Sequence, residues 1–366
     1  MMRISTATVF DTGTKLMLQQ QAQLMETQQQ LSTGRRVITP SDDPIAAAQA
    51  LSISQASSLN DQYAVNRKNA NSSLMQEENV LNEVTLVVTR VRELTLDGGN
   101  ASHTDSDRKI IARELRSQMD TLVSLANTTD EKGQYLFSGY QANTKPFTQT
   151  GLTVQYAGDQ GQRLNQIGSA RQIAISDSGS DIFEYIKDGN GVFKTAAAAT
   201  NIGTGVIDGG SVITPSSLTG NNYQINFTVA AGITTYDIMN VTTGLAVSAG
   251  NPYTENSTIS FDGMQFSITG QPVNGDTFTV APSGNQSIFN TMEDLIVALE
   301  TPSSGQPGGT QLTNNLNSVL QKLDNTEEHI STKQASIGAR LQEVDTLDSV
   351  GTDQNIQYEE LITHLE

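Results

Sequence analysis

Three histidines and several adjacent acidic pairs are the side chains of this chain that could do acid–base or metal chemistry. His103, His329 and His364 lie far apart, and none has a second ligand at helical spacing, so we interpret each as a surface histidine. Neighbouring carboxylates point to different faces of a helix, so we interpret Glu77-Glu78, Glu327-Glu328 and Glu359-Glu360 as solvated surface and not as acid–base pairs. No glycine-rich phosphate loop or nucleophile elbow occurs. The sequence therefore predicts no enzyme, and no catalytic, cofactor or metal site.

The composition limits the partners and the shape. The 366 residues are 36% hydrophobic and 5% aromatic, without Trp or Cys, which favours long thin elements over one large core. A net charge of −18 disfavours nucleic acid and anionic membranes, because phosphate binding needs clustered Lys and Arg. No apolar run is long enough to span a membrane, and residues 1–12 lack the pattern of a secretory signal. We expect no nucleic-acid partner and no membrane.

The spacing of apolar residues divides the chain into three parts. From Phe10 to Leu125, and from Ile288 to Leu365, apolar residues recur every three or four positions, as in narrow-striped helices. From Phe147 to Val280 they recur at every second residue, as in half-buried strands. The pattern predicts a multidomain α+β fold, in which both chain ends build a long antiparallel helical bundle or coiled-coil rod around an inserted, mainly antiparallel β domain.

The first predicted helix, from Thr6 to Leu31, carries a seam that is too narrow to be stable alone. Phe10, Met17, Leu24 and Leu31 repeat at seven-residue spacing among polar residues, and such a helix needs a partner. The basic pair after the helix either docks an acidic neighbour or is an exposed loop. We predict that the assembly interface comprises Phe10, Met17, Leu24, Leu31, Arg35, Arg36, Ile356, Leu361 and Leu365.

The longer helices have signals for their ends and for an intramolecular core. Asp42, Asp43 and Pro44 suit the start of a helix that runs to about Asp97, and Thr104 offers a capping box to the next helix. The last helix begins near Thr310. The predicted rod core comprises Leu74, Leu81, Val84, Val88, Val91, Leu115, Leu122, Leu323, Ile330, Ile337 and Leu341.

The β region and its borders complete the expected organisation. Asp262-Gly263 favours a two-residue hairpin turn, residues 135–140 resemble a short hairpin, and residues 195–217 suit a loop. We expect four parts: an assembly segment at 1–40, a helical rod at 41–146 plus 285–350 with that short hairpin, a surface β domain at 147–284, and the start of a terminal assembly helix at 351–366. Because no stop signal follows the last stripe, we expect a truncated helix.

Several separate motifs resemble the flagellin superfamily, in family order and over nearly the whole chain. The segment 31–44 reads LSTGRRVITPSDDP and precedes an Ala-rich stretch, and its last six residues are most similar to the hook–filament junction branch of that superfamily. Asn66-Arg67, residues 134–139 and residues 259–282 fit the same family, whereas residues 179–222 match least well.

The resemblance implies a structural subunit whose terminal helices lie inside a cylindrical polymer with the β domain outside. It implies a ring of identical copies, a hook-associated protein as neighbour on the hook side, flagellin on the filament side and an export chaperone. Relatives leave the cell through the flagellar secretion channel without a cleaved signal peptide, which makes the protein extracellular, and their termini are disordered as monomers.

Three functions stay open at this point. The favoured hypothesis is an adaptor that joins the hook to the filament by coupled folding and assembly. The second is a flagellin-type filament subunit, against which the TPSDDP motif argues. The third, from another class, is a surface adhesin that binds a glycan or host surface through the β domain, although residues 147–284 carry no catalytic pattern.

Overall fold

The computed structural model describes residues 6–303 and 305–365. Residues 1–5 of the predicted assembly segment, residue 304, and residue 366 of the predicted terminal helix lie outside this range. Long helices occupy both ends of the chain, and most strands lie between them in sequence, so the predicted α+β architecture is confirmed. The helices are α1 Thr6–Thr33, α2 Pro44–Gly98, α3 Asp105–Ala126, α4 Gly179–Phe183, α5 Ile288–Glu300 and α6 Gln306–Leu365.

Local chemistry sets the ends of these helices. α1 is followed by Gly34 at φ +69°, a left-handed conformation that glycine adopts without strain. α3 begins with the predicted capping box, in which the Thr104 hydroxyl and the Asp107 carboxylate satisfy each other's backbone N–H groups. At the start of α5 the Ser287 hydroxyl accepts the backbone N–H of Phe289 at 3.1 Å. α6 starts at Gln306, four residues before the predicted start near Thr310.

The helices α2 and α6 run antiparallel to each other where they are in contact. Asn60 of α2 bonds to Gly351 of α6, and Asn71 bonds to Asp345, so the partner number falls as the α2 number rises. Further along α2, Asn82 accepts a hydrogen bond from Gln334 and continues the same order. This is the predicted antiparallel arrangement of the two chain ends.

Fifteen short strands form five antiparallel sheets among the described residues. A five-stranded sheet has the order β11-β10-β9-β14-β6, and a second sheet places β13 between β12 and the short β7 and β8. The strands are β1 Phe147–Thr150, β2 Thr153–Tyr156, β3 Leu164–Gly168, β4 Arg171–Ala174, β5 Ile186–Lys187, β6 Phe193–Ala197, β7 Val206–Ile207, β8 Ser211–Val212, β9 Tyr223–Ala230, β10 Ile233–Asn240, β11 Leu245–Pro252, β12 Thr258–Phe261, β13 Met264–Thr269, β14 Thr277–Pro282 and β15 Asn285–Gln286.

Alternation builds the core of the two larger sheets. Tyr223, Ile225 and Phe227 of β9 are buried, while the residues between them are only partly covered. The predicted turn at Asp262-Gly263 joins β12 to β13, and both residues have positive φ, as a two-residue hairpin turn requires.

Two local predictions were wrong. Residues 195–217 are not one loop, because β6 ends inside them and β7 and β8 follow; Phe193 and Ile207 anchor these strands in the core. Residues 135–140 form turns rather than a hairpin, with one isolated bridge between Thr129 and Tyr135. The physical reason is the run from Leu136 to Ser138, whose consecutive buried residues do not fit the two-residue repeat of a strand.

Contacts divide the chain into two compact units. The first comprises residues 1–71, 165–173 and 342–366, and the second comprises residues 72–164 and 174–341. Both α2 and α6 contribute residues to each unit. These units cut across the four sequence ranges given above, which remain a prediction about assembly roles.

Candidate assembly surface

The seam of α1 is exposed along the whole described helix. Phe10 is 77% exposed and Leu31 is 86% exposed, and Met17 and Leu24 are similarly open to solvent. Every side chain from Val9 to Gln29 is exposed. An exposed apolar stripe of this length marks a surface that a partner covers. The geometry therefore suits contact with another helix.

The connector after α1 is held in place by two aspartates. Asp42 accepts backbone hydrogen bonds from Thr39 at 2.8 Å and Ile38 at 3.1 Å, and the bond from Thr39 is the largest influence that lowers the pKa of Asp42. Asp43 accepts from the backbone N–H of Ala46 at 3.1 Å, which makes it the N-cap of α2 and lowers its pKa. Both predicted capping residues thus fix how the chain enters α2.

The predicted basic pair lies beside the end of α6. Arg36 contacts Asp43 Oδ2 and the carbonyl oxygen of Leu365, both at 3.4 Å. Here the chain forms an open groove of about 410 Å³ with a mainly aliphatic lining, which includes Arg35, Val37, Ala46, Ala50, Leu51, Ile362 and Leu365. The structure thus brings together three of the predicted interface residues, Arg35, Arg36 and Leu365. Ile356 and Leu361 are exposed elsewhere on α6.

The predicted rod core is largely buried. Ten of its eleven residues are at most 3% exposed, and Leu341 is half-buried. The buried residues are Leu74, Leu81, Val84, Val88, Val91, Leu115, Leu122, Leu323, Ile330 and Ile337. Each of these residues lies in the second compact unit.

Polar side chains that were not predicted as site residues clamp α2 to α6 in the first unit. The amide of Asn60 donates to the carbonyl of Gly351 at 2.5 Å and to Asn355 at 2.9 Å. Arg67 is buried and bonds to Asp348 at 2.9 Å and to the carbonyl of Ile167 at 3.2 Å. Gly351 permits this approach, because a Cβ there would lie 2.9 Å from Cζ of Arg67 and 3.0 Å from Oδ1 of Asn60.

A second polar cluster is buried in the second unit, and it includes Glu77, so the prediction that Glu77 lies on the solvated surface was wrong. Glu77 accepts a hydrogen bond from the backbone N–H of Asp177 at 3.1 Å, and its Oε2 has no partner. Asp177 forms an ion pair with Arg340 and accepts a hydrogen bond from Nε2 of Gln162 at 2.7 Å. Burial, and next the negative charge of Asp177, raises the pKa of Glu77 to about 8.

One signal in the sequence could have identified these polar residues. The seam of α2 consists of two sets of positions that each repeat every seven residues. One set is 60, 67, 74, 81 and 88, and the other is 70, 77, 84 and 91. Apolar residues fill most of these positions, whereas Asn60, Arg67 and Glu77 occupy seam positions with polar side chains. A polar residue at a seam position is buried by the same geometry that buries its neighbours.

Two of the three histidines have polar partners in the structure. His329 is half-buried rather than on the surface: its Nε2 lies 2.8 Å from the carbonyl oxygen of Asp181, and burial lowers the pKa of His329. His103 contacts Asp97 at the end of α2. Within residues 6–303 and 305–365 no three His, Asp or Glu side chains gather in a way that could hold a metal ion. Among the same residues, no helix combines the length and apolarity needed to cross a membrane.

Comparisons with known proteins match this architecture. Residues 4–142 match the family of the bacterial flagellin N-terminal helical region. The flagellar hook-associated protein 3 of Salmonella typhimurium is 40% identical over 185 residues, which are 50% of this chain and 58% of that protein. The match thus spans little more than half the length of that relative.

Solved structures match over a larger share of the chain. The crystal structure of Xanthomonas campestris FlgL is 31% identical, with a TM-score of 0.74, and covers 81% of this chain and 99% of that one. The flagellar hook-associated protein 3 from Legionella pneumophila is 29% identical, with a TM-score of 0.80, over 84% of this chain and 96% of that one.

Proposed function

The chain belongs to the flagellar hook-associated protein 3 (FlgL) family, and from this premise we propose that it is a structural subunit that joins the flagellar hook to the filament. The observation that carries the proposal is the exposed seam of α1. A subunit whose main apolar stripe is uncovered in isolation is built to be completed by neighbours.

Assembly proceeds by coupled folding of the chain ends. Burying a Phe, Met or Leu side chain contributes about 1.5–3 kcal/mol, which must offset the entropy lost when the helix is ordered. Burial of the four seam residues of α1 against a partner helix contributes part of the free energy that offsets this cost. We assign the interface to Phe10, Met17, Leu24, Leu31, Arg35, Arg36, Ile356, Leu361 and Leu365.

The partners follow from the same role. Copies of the chain form a ring, with a hook-associated protein on the hook side and flagellin on the filament side. An export chaperone holds the subunit before it leaves through the flagellar secretion apparatus, and the mature protein is extracellular. The role is structural, without catalysis, a cofactor or nucleic acid.

A filament subunit of the flagellin type is the less favoured function. The identity of 31% over 99% of a solved FlgL chain favours the junction instead. No observation on residues 147–284 favours an adhesin that binds a glycan over the junction role.

Electron microscopy of flagella tests the proposal directly. A strain that lacks this gene should make hooks without attached filaments and release flagellin into the medium, and the wild-type gene should restore attachment. Leu24→Glu should fail to restore it, because a carboxylate in the seam opposes burial. Gln19→Glu adds the same charge to the opposite face of α1 and should restore attachment. Normally attached filaments in the deletion strain would refute the junction role.

Limited proteolysis of dilute monomer tests the coupled folding. Residues before about Ser41 should be cleaved first, and the β region should resist, because α1 has no packed face to protect it. Equal resistance from the first residues onward would contradict this part of the proposal.

A further inference from the structure

The dipeptide Asn-Gly occurs twice in this chain, at Asn190-Gly191 and at Asn274-Gly275. Asparagine is chemically labile, and a following glycine has no side chain to shield its backbone nitrogen from the asparagine amide. Both glycines have a left-handed backbone, with φ of +84° at Gly191 and +93° at Gly275, and both have open space at the Cβ position. The two dipeptides are therefore matched in sequence and in backbone, and both lie in the second compact unit.

The side-chain amide of Asn190 is held at both of its polar atoms. Its Nδ2 donates to the carbonyl oxygens of Gly209 and Gly210, each at 3.2 Å. Its Oδ1 accepts the backbone N–H groups of Val192 at 3.0 Å and Phe193 at 2.9 Å. Four hydrogen bonds thus fix this amide group, and all four must break before it can turn toward the backbone nitrogen of the next residue.

The side-chain amide of Asn274 is exposed and held at one atom. Its Oδ1 accepts the backbone N–H of Val229 at 3.2 Å, and its Nδ2 has no partner among the residues that the structure describes. Gly275 is exposed as well, and its N–H donates to the carbonyl oxygen of Phe227 at 3.0 Å. Opening of two hydrogen bonds in the turn before β14 therefore frees both the amide and the backbone nitrogen.

We propose that Asn274 is a site of spontaneous deamidation, and that the fold protects Asn190 from the same reaction. The backbone nitrogen of Gly275 attacks Cγ of Asn274 and closes a cyclic imide, while the side-chain nitrogen leaves as ammonia and carries away the proton of the Gly275 N–H. Water then opens the imide. Cleavage of the new bond to Cγ gives aspartate, and cleavage of the bond to the backbone carbonyl carbon gives isoaspartate. One water is consumed and one ammonia is released, without an oxidant or an enzyme.

The difference between the two sites lies in the side-chain amide. The backbone nitrogen is bonded at both, because the N–H of Gly191 donates to the carbonyl oxygen of Asp188 at 3.2 Å. In the folded chain Asn274 should react at least about tenfold faster than Asn190, because three fewer side-chain hydrogen bonds must break. The reaction is independent of any role in the flagellum.

The two products should act differently on the neighbouring strand. Aspartate keeps the backbone and a carboxylate oxygen that can accept the N–H of Val229. Isoaspartate adds one carbon to the main chain two residues before Asp276, which is buried and accepts the N–H groups of Ile202 and Val273, each at 2.9 Å. We expect isoaspartate at position 274 to displace this carboxylate and to loosen the start of β14.

Peptide mapping of the aged full-length chain tests the proposal. Chymotrypsin cleaves after Phe and Tyr, so it releases residues 186–193 with Asn190 and residues 267–278 with Asn274. Mass spectrometry follows the mass gain when the amide becomes a carboxyl group, during incubation in mildly alkaline buffer. The peptide with Asn274 should convert at least about tenfold faster in the folded chain, whereas both should convert at similar rates in a chain unfolded by urea. Equal or inverted rates in the folded chain would overturn the proposal, as would an intact Asn274 after the unfolded chain has converted.

Hydrogen exchange tests the effect of the isoaspartate product. In aged wild-type protein that contains isoaspartate, the amides of Ile202 and Gly203 should exchange about tenfold faster than before ageing, because the carboxylate that binds them is displaced. Asn274→Asp has a normal backbone and should keep the exchange of fresh wild-type protein. Asn274→Ser cannot deamidate at this position and should exchange equally before and after ageing. Unchanged exchange in aged wild-type protein that contains isoaspartate would overturn the inferred effect on β14.

Discussion

The α1 seam and the α2 seam have similar sequences and opposite environments. Both repeat apolar residues at three- and four-residue spacing, yet Leu24 of α1 is exposed whereas Leu81 of α2 is fully buried. The difference is that α2 has α6 beside it in the same chain, and α1 has no such cover along its described residues. Periodicity therefore specifies which face of a helix seeks a partner, and not whether that partner lies in the same molecule.

Truncation of one seam residue in each helix gives the largest expected contrast. Leu81→Ala should lower the free energy of unfolding by about 2–5 kcal/mol, because it leaves a cavity in a packed core. Leu24→Ala should change it by less than about 0.5 kcal/mol in dilute monomer, since no contact is lost. Denaturant titration of both variants measures this. Comparable losses would mean that α1 is packed in the monomer.

The buried Glu77 in the α2 seam should make the stability of the fold depend on pH. The pKa of Glu77 is raised from the ordinary 4.5 to about 8 in the folded state. Between these pH values Glu77 is protonated in the folded state and ionised in the unfolded state. Its contribution to stability is complete below about pH 4.5 and is lost as the pH rises to about 8. For one proton the slope reaches at most about 1.4 kcal/mol per pH unit.

Substitution isolates the effect of Glu77. Glu77→Gln should flatten the fall in stability between pH 5 and pH 8, as measured by unfolding titrations at several pH values. Glu83→Gln removes a charge from an exposed position of the same helix and should keep the wild-type slope. An unchanged slope in Glu77→Gln would mean that Glu77 is already ionised at neutral pH.

Substitution of two glycines of α6 compares a position packed against α2 with a position that has open space beside it. Gly351→Ala should destabilise the fold by about 1–3 kcal/mol, because the new methyl group displaces the buried Arg67 from its hydrogen bonds. Gly338 has no atom within 4 Å of its Cβ position, and Gly338→Ala should stabilise the fold by up to about 1 kcal/mol through helix propensity. Thermal melts of both variants should shift in opposite directions.

The smallest expected effect lies in the connector between α1 and α2. Asp43→Ala removes the N-cap that holds the backbone of Ala46, so amide hydrogens in the first turn of α2 should exchange faster. Global stability should change little, because the lost bond lies in the terminal turn of the helix, where local opening needs less free energy than global unfolding. Asp61→Ala, on an exposed turn further along α2, should leave exchange at residues 44–47 unaltered. Unaltered exchange in Asp43→Ala would show that the cap contributes nothing to the entry of α2.

Much of the helical architecture could be predicted, because local signals act within a few residues. The capping box at Thr104, the α2 start at Pro44 and the turn at Asp262-Gly263 each depend on neighbours in sequence. The errors have the opposite origin. The strand β6 was missed because its Ala- and Thr-rich sequence alternates weakly, and pairing with β14 holds it in place.

The sequence alone determined the long helices, the clearly alternating strands and which helix faces are apolar, because these properties follow from residue spacing and turn chemistry. Only the tertiary structure decided which of those faces are filled. It buried Asn60, Arg67 and Glu77 at seam positions, required Gly351 where two helices come close, and left α1 uncovered along its described residues. The physical reason is that burial depends on which surfaces meet, and that involves residues hundreds of positions apart.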